Sequence, residues 1–390
     1  MASNAAVLGG LRLWTRYGLR FLNLGNCLFV SRWEDVTDVL RRDGDFVIAP
    51  VNRQPIDDVA GHFMLGMDRS PQLFNQRQAE YTALRAIDMT AVDQVLQAQT
   101  VALLASAVPG GRVDAVEGYA RPIAARIAAC MTGVSSPGDA ALAATARLIF
   151  DAAFLNLFND PVIQARGRAA GDTLRGWILA EQRGRAGKPH AADLLGQLMA
   201  QIPPPPPGPK KDYLTQAQKE LQRDIPALIA GNIVGLIDQI VMAVTYIIDE
   251  ILSNPVLHAN VMADIDHPRR LAGWCLEAWR SAPNSPALRR VAVEGATIAG
   301  RPVKAGKCVL VLTSAAMQDG RVFTEPQRLK PDRDPAQYLH FGYGIHACAG
   351  RNIAGTIIPS MVAAVMRCHP RGCGRLIKDG QFPKRLIVNF

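Results

Sequence analysis

The stretch from Ile225 to Leu252 is apolar almost throughout, and its strongly polar interruptions are Asn232, Asp238, Gln239, Asp249 and Glu250. Few folds can absorb such a segment. A central Asp238-Gln239 pair is expensive in lipid, so the stretch is expected to be a helix buried through the middle of a large protein rather than a membrane span. Pro226 is expected in its first turn, where proline is tolerated. At 1.5 Å per residue the helix runs about 42 Å, enough to cross a whole domain.

The texture on either side is uneven. Upstream, helical periodicity runs through Val95–Ala107, Gly118–Met131, Pro137–Phe158, Pro161–Arg183 and Ala191–Gln201. The proline run Pro203–Pro209 ends that series as a stiff surface spacer, and helical pattern resumes from Leu214. Downstream, Pro255–Asp264 and Pro268–Ser281 read as helices. β-branched or alternating segments follow at Leu288–Ile298 and Lys307–Leu312, punctuated by Gly300 and Gly306. A last helix covers Asn352–Cys368, and the tail Leu376–Phe390 resembles a hairpin turning at Asp379-Gly380. The fold class expected is mainly α with a minor β-sheet, the β region being residues 288–312 and the C-terminal tail. No repeat period is visible.

At 390 residues the chain exceeds the usual single-core limit of roughly 250–300. Large cofactor-centred folds break that rule, and one domain over residues 1–390 is expected. The net charge of +9 raises nucleic-acid binding. Its basic residues fall singly or in pairs (Arg41-Arg42, Lys210-Lys211, Arg269-Arg270, Arg289-Arg290), without the aromatic-interleaved stripe such binding needs. A solvated surface or a face for an acidic protein explains the charge better. Seven cysteines form no paired framework, which favours a reducing compartment and a cytoplasmic protein. Arg12, Arg16 and Arg20 interrupt every early apolar run, so no signal peptide is expected.

The most informative segment is Phe341-Gly342-Tyr343-Gly344-Ile345-His346-Ala347-Cys348-Ala349-Gly350. Glycines at alternate positions allow a tight loop that brings backbone amides near a sulfur. Cys348 lies just before a predicted helix, whose N-terminal half-dipole favours thiolate over thiol. Gly350 puts no side chain on that helix's first turn, leaving room for a flat cofactor. His346 can donate to an anion at the rim. Taken alone, the cysteine is also compatible with an inert buried thiol or with a nucleophile awaiting a base. A zinc site lacks a second ligand pair nearby.

This ten-residue pattern resembles the haem-binding loop of the cytochromes P450, F-G-x-G-x-[RH]-x-C-x-G, with all five fixed positions present and His346 at the basic one. The resemblance extends from about Asp68 to the C-terminus and is strongest from Leu221 onward. It implies the triangular, mainly α P450 fold around a long central helix, with Cys348 as the ligand of a haem b iron and Phe341, Gly342, Gly344, His346 and Gly350 around it. Glu277-Ala-Trp-Arg280 is similar to the family's E-x-x-R pair, an i, i+3 spacing that places both charges on one helix face. Phe323–Arg333 looks like the segment that contributes a third member, for which Arg328 is the candidate. Such a triad is a poor source of net stability and is expected to fix the backbone behind the haem. Arg290 is similar to the arginine that meets one haem propionate, a role suited to its planar fork. Arg77 is similar to the arginine serving the other, although Leu73 stands where the accompanying histidine is usual.

The resemblance fails at one place. Ala230-Gly231-Asn232-Ile233-Val234-Gly235 falls where the family has A-G-x-[DE]-T-[TS]. Gly231 and Gly235 leave room for a ligand, but Ile233 and Val234 can neither donate nor relay the protons that heterolytic O–O cleavage needs. The first expectation is therefore a monooxygenase of a small hydrophobic substrate with non-standard proton delivery. A ferredoxin-type partner would dock at Arg351, Arg367 and Arg371. The second is a reductant-independent hydroperoxide isomerase or lyase, or a peroxide-using enzyme acting on a lipid, with Asn232 as the polar residue. A haem binder without turnover is the third.

Overall fold

The computed structural model describes residues 20–156, 159–206 and 213–390. They divide into two compact units. The first comprises the chain up to Ile48, Gln99–Ala120 and Gln239–Phe390; the second comprises Ala49–Ala98 and Arg121–Asp238. The helices Met89–Ala107 and Gln216–Ser253 contribute residues to both.

The first unit holds every strand among the described residues. Its main sheet has the order Phe21–Leu24, Cys27–Val30, Cys308–Val311, Leu288–Ala292, Phe46–Val47. All pairs are antiparallel except the Cys27–Val30 strand, which runs parallel to Cys308–Val311 with Cys27 opposite Cys308. Helix Trp33–Arg41 covers this sheet with Val36, Val39 and Leu40, an i, i+3, i+4 set forming one apolar stripe. These side chains join Val30, Phe46, Val309, Val311, Phe323 and Tyr338 in a continuous buried core. A second sheet joins Arg112–Asp114, Ile387–Asn389 and Gly372–Cys373. The tail forms the expected hairpin, Ile377–Asp379 with Phe382–Arg385, turning through Gly380 at φ +60°.

The second unit is helical. Its helices are Ala49–Val59, Pro71–Arg85, Arg121–Thr132, Asp139–Phe150, Pro161–Arg185 and Leu194–Met199, with the first part of Gln216–Ser253. Ser70, Asp160 and Asp193 cap three of them by accepting from backbone N–H groups in the first turn, each cap worth about 1 kcal/mol. Helix Pro161–Arg185 packs backbone to backbone where it lacks side chains. A Cβ at Gly171 would stand 1.9 Å from the Val59 carbonyl oxygen.

The long helix exists but begins earlier than its apolar stretch, at Gln216. Thr215 Oγ1 accepts from the Gln218 N–H while Gln218 Oε1 accepts from the Thr215 N–H. This reciprocal capping box starts the helix upstream of its apolar face. Pro226 consequently sits in the helix interior rather than in the first turn. Among the described residues it is the one helix long and apolar enough to span a membrane, and 72% of its most apolar window is buried inside the protein. The Pro137–Phe158 expectation resolves into Asp139–Phe150 and a π-turn Asp151–Leu155, while Phe158 lies outside the described residues. Of the proline spacer, residues 203–206 are irregular and 207–209 lie outside the described residues, as do Arg12 and Arg16.

Candidate functional site

The loop ahead of helix Arg351–Arg367 is built as its glycines require. Gly342 has φ +67° and Gly344 φ +72°, a left-handed region costly for any residue with a Cβ. Gly344 has a second constraint, because a Cβ there would lie 2.3 Å from the Leu40 carbonyl oxygen at the end of helix Trp33–Arg41. The chain then doubles back. Ala347 N–H donates to the Gly344 carbonyl at 3.1 Å, and Cys348 N–H to the Phe341 carbonyl at 2.8 Å. The return leaves Cys348 exposed beside the first turn of the helix. Gly350 caps that helix at φ −81°, a conformation any residue adopts, so its bareness is not a backbone requirement. A Cβ there would stand 3.8 Å from Cys348 Sγ, against the sulfur.

Behind the loop lies a buried ionic centre. Arg280 Nε and Nη2 donate to the two oxygens of Glu277 at 2.8 and 2.9 Å, with both side chains at most 1% exposed. Arg280 also donates to the Met317 and Pro326 carbonyls. Glu277 further accepts from Tyr338 Oη at 2.6 Å and from the Lys330 N–H at 2.9 Å. Burial pushes the Glu277 carboxyl up, but the Arg280 bonds and charge outweigh it and hold the group below the usual carboxylate range. Each lone pair is therefore answered, which is the condition for tolerating a buried charge.

The third member differs from expectation. Arg333 Nε lies 3.3 Å from Glu277 Oε2, its side chain 6% exposed. The Arg328 side chain is 75% exposed and pairs with the surface residue Glu325. Arg328 contributes its backbone carbonyl instead, accepting from Arg333 Nη2 at 3.1 Å. Both arginines lie in the segment singled out by sequence; the turn geometry that faces one inward leaves no local signal.

Sequence also gave no hint of His340. Its ring stacks on Trp279 at 4.3 Å with 4° between planes, and Tyr338 stacks at 5.5 Å. Trp279 meets Phe341 edge-on at 5.5 Å and donates through Nε1 to Asn284 Oδ1. His340 Nε2 must donate to the Leu276 carbonyl, 3.2 Å away, because that oxygen can only accept. Burial pushes the imidazole down to about 3. A neutral, stacked ring thus anchors the residue preceding Phe341.

The remaining candidates are placed as follows. Arg290 is buried in strand Leu288–Ala292 opposite Val309, and its Nη1 donates to the Arg289 carbonyl at 2.8 Å. In the second unit, Arg77 is buried on helix Pro71–Arg85 and donates through Nη2 to Tyr81 Oη at 2.6 Å. Leu73 on the same helix is fully buried. On the long helix, Ile233 and Val234 are buried, and Gly231 faces the Phe63 ring so closely that a Cβ would lie 2.6 Å from it, so the room expected for a ligand at Gly231 is taken by that ring. Gly235 is exposed and has nothing within 4 Å of an added Cβ. Asn232 Nδ2 donates to Glu80 Oε1 at 2.6 Å and to the Leu228 carbonyl at 2.9 Å. Glu80 went unnoticed in the sequence; the available signal was its helical spacing from Leu73 and Leu84, diluted by the polar Gln76 and Arg77 on the same buried face. Burial raises its pKa to about 7, against the opposing effects of the Asn232 bond and the Arg77 charge.

The family model described as Cytochrome P450 matches residues 248–368, a span containing the cysteine loop and Glu277, Arg280 and Arg333, but not Asn232, Glu80 or Arg77. Among curated proteins, the chain is 37% identical over 105 residues to cytochrome P450 105A3 of Streptomyces carbophilus, covering 27% of this chain and 25% of that protein. It is 26% identical over 220 residues to the 20-oxo-5-O-mycaminosyltylactone 23-monooxygenase of Streptomyces fradiae, covering 55% of this chain and 49% of that one. The matches thus span a quarter to a half of these relatives' length. Over nearly the whole chain the fold is similar to solved P450 structures. The crystal structure of CalO2 superposes with a TM-score of 0.81 at 20% identity, covering 99% of this chain and 97% of that one. The epothilone D-bound P450epoK structure gives 0.79 at 17% identity, covering 100% and 97%.

Proposed function

We propose that the chain is a member of the cytochrome P450 superfamily and, within it, a haem-thiolate monooxygenase of a small hydrophobic molecule, with proton delivery that bypasses the usual acid–alcohol pair. The partial family match and the shared fold support this reading. One observation carries the proposal. The left-handed Gly342 and Gly344 leave Cys348 exposed at a helix start, and Gly350 keeps the space against its sulfur clear.

Haem is the cofactor of this family, and this donor set fits it: one accessible sulfur and a neighbouring residue without a side chain. When bound, a haem with a thiolate ligand supplies the electron push that favours O–O cleavage. The chain's own contribution is positional. Cys348 would hold the iron, with Phe341, Gly342, Gly344, His346 and Gly350 shaping the loop. Arg290 and Arg77 are the candidates for holding propionates. The centre of Glu277, Arg280 and Arg333 keeps the loop's backing rigid. Ile233 and Val234 can pass no proton, so protons must come from water, the substrate or another side chain. The exposed Arg351, Arg367 and Arg371 would offer positive charge to an acidic ferredoxin-type partner.

The ferrous, carbon-monoxide-treated protein should show a thiolate-type Soret band, and Cys348→Ser should abolish it. An unchanged spectrum and haem content in that variant would defeat the proposal. A second reading is favoured by the apolar Ile233-Val234 pair beside Asn232: a hydroperoxide-rearranging enzyme needing no reductant. Turnover with NAD(P)H and a ferredoxin chain supports the first reading. Consumption of a lipid hydroperoxide without reductant supports the second.

A further inference from the structure

Among the described residues the amide of Asn232 donates to two oxygens, one of which, the Leu228 carbonyl, can only accept. Its Nδ2 lies 2.6 Å from Glu80 Oε1 and 2.9 Å from the Leu228 carbonyl oxygen. Each takes one of the two amide hydrogens. Turning the amide over would set its oxygen against the Leu228 carbonyl and, where Glu80 is ionised, against its carboxylate as well, which favours the orientation seen. In that orientation Asn232 Oδ1 meets no donor among the described residues. Asn232 is only half-buried, so the oxygen stays reachable.

Glu80 makes this arrangement expensive. It is 3% exposed, and its Oε2 is buried with no hydrogen-bond partner. Placing a carboxyl there for a single amide bond costs more than an apolar side chain would. Orienting an amide that serves a ligand would justify the cost. The neighbourhood is otherwise apolar: Ile229, Ile233 and Val234 are buried on the long helix, and Phe63 lies against Gly231. Arg77, one turn before Glu80, supplies positive charge that disfavours a cationic ligand.

We propose that Glu80 is a positioning residue that fixes Asn232 with its carbonyl oxygen free, making Asn232 Oδ1 the acceptor for a hydroxyl group on an otherwise apolar substrate. This rests on the haem-thiolate reading, in which the bare and exposed Gly235, three residues after Asn232, leaves room for a ligand. It adds the recognised group and the residue that selects it.

The test uses the haem-loaded full chain and a panel of aliphatic and cyclic alcohols, each paired with the analogue carrying methyl in place of hydroxyl. Dissociation constants come from the Soret shift and, independently, from equilibrium dialysis. At least one wild-type alcohol should be preferred over its partner by about 5–10-fold, the size expected of one net hydrogen bond. Glu80→Leu should weaken that preference, since only the Leu228 carbonyl then opposes turning of the amide. Glu80→Gln should retain it, because a glutamine oxygen still accepts from Asn232. Asn232→Leu should abolish it, and this variant together with Glu80→Gln decides the matter if Glu80→Leu does not fold. A wild type with no preference anywhere in the panel, or a preference that survives Asn232→Leu, overturns the assignment. Absence of the thiolate Soret band in wild type counts against the haem reading, whereas an intact band with flat preferences counts against Asn232 alone.

Discussion

Arg333 Nε stands 3.3 Å from Glu277 Oε2, within a centre where Arg280 already binds both oxygens of that carboxylate. Removing one partner from a buried pair costs about 3–5 kcal/mol, because the remaining charge is left uncompensated. Arg280 softens the loss here, so Arg333→Ala should destabilise by about 2–3 kcal/mol and reduce haem retention. Arg328→Ala, on an exposed pair, should change stability by less than about 0.5 kcal/mol. Chemical denaturation and haem content per protein distinguish the two. Equal effects would show that the inward arginine has been misassigned.

Gly344 and Gly342 both occupy left-handed backbone, but only Gly344 is also closed in by the chain. Gly344→Ala brings a Cβ to 2.3 Å from the Leu40 carbonyl, whereas the nearest atom at Gly342 is 3.6 Å away. Gly342→Ala should cost about 1–2 kcal/mol from conformation alone and keep most of the haem. Gly344→Ala must move helix Trp33–Arg41 or the loop, and should lose most of the thiolate-type Soret absorbance. Similar spectra for the two variants would contradict the packing argument.

The cysteine loop was legible because its chemistry is local: left-handed glycines, a sulfur and a helix start lie within ten consecutive residues. The Glu277–Arg280 pair was legible for the same reason, being one helical turn apart. Arg333, Tyr338 and His340 were not, because their roles depend on how an irregular segment folds back over helix Pro268–Ser281. Glu80 is further removed still. It meets Asn232 from 152 positions away in sequence, and although Leu73, Glu80 and Leu84 fall at helical spacing on one buried face, that face also carries Gln76 and Arg77 and so does not read as apolar. The first strands, Phe21–Leu24 and Cys27–Val30, were missed because four-residue strands carry too little alternation to register.

Glu80 should make the protein less stable as pH rises. Its pKa is raised from 4.5 to about 7, so between these values the folded chain holds a proton that the unfolded chain has released. The sign follows: this contribution is fully present below pH 4.5 and is lost as pH climbs through 7, at up to ~1.4 kcal/mol per pH unit. Asn232 and Arg77 are the groups that oppose the rise, so Asn232→Leu should move the loss to higher pH. Glu80→Gln should abolish it. Denaturant unfolding of wild type and Glu80→Gln between pH 5 and 8 checks this, and parallel stability curves would refute it.

His340 gives a slope of opposite sign. Burial lowers its pKa from 6.5 to about 3, so between those values the unfolded chain binds a proton that the folded chain refuses. The folded state keeps its full advantage above pH 6.5 and loses it as pH falls toward 3, again at up to ~1.4 kcal/mol per unit. Between pH 4.5 and 6.5 the Glu80 and His340 slopes run against each other, and their two contributions should largely cancel there. Each substitution should uncover the other group. His340→Phe keeps the stack on Trp279 and removes the buried, unpartnered Nδ1, although it leaves the Leu276 carbonyl without its donor. Its stability at pH 7 should therefore stay within about 1.5 kcal/mol of wild type. Below pH 6.5 it should instead gain on wild type as the pH falls, exposing the falling Glu80 slope. In Glu80→Gln the same window should show stability rising with pH. If both variants track the wild-type curve through that window, neither buried group titrates as its surroundings require.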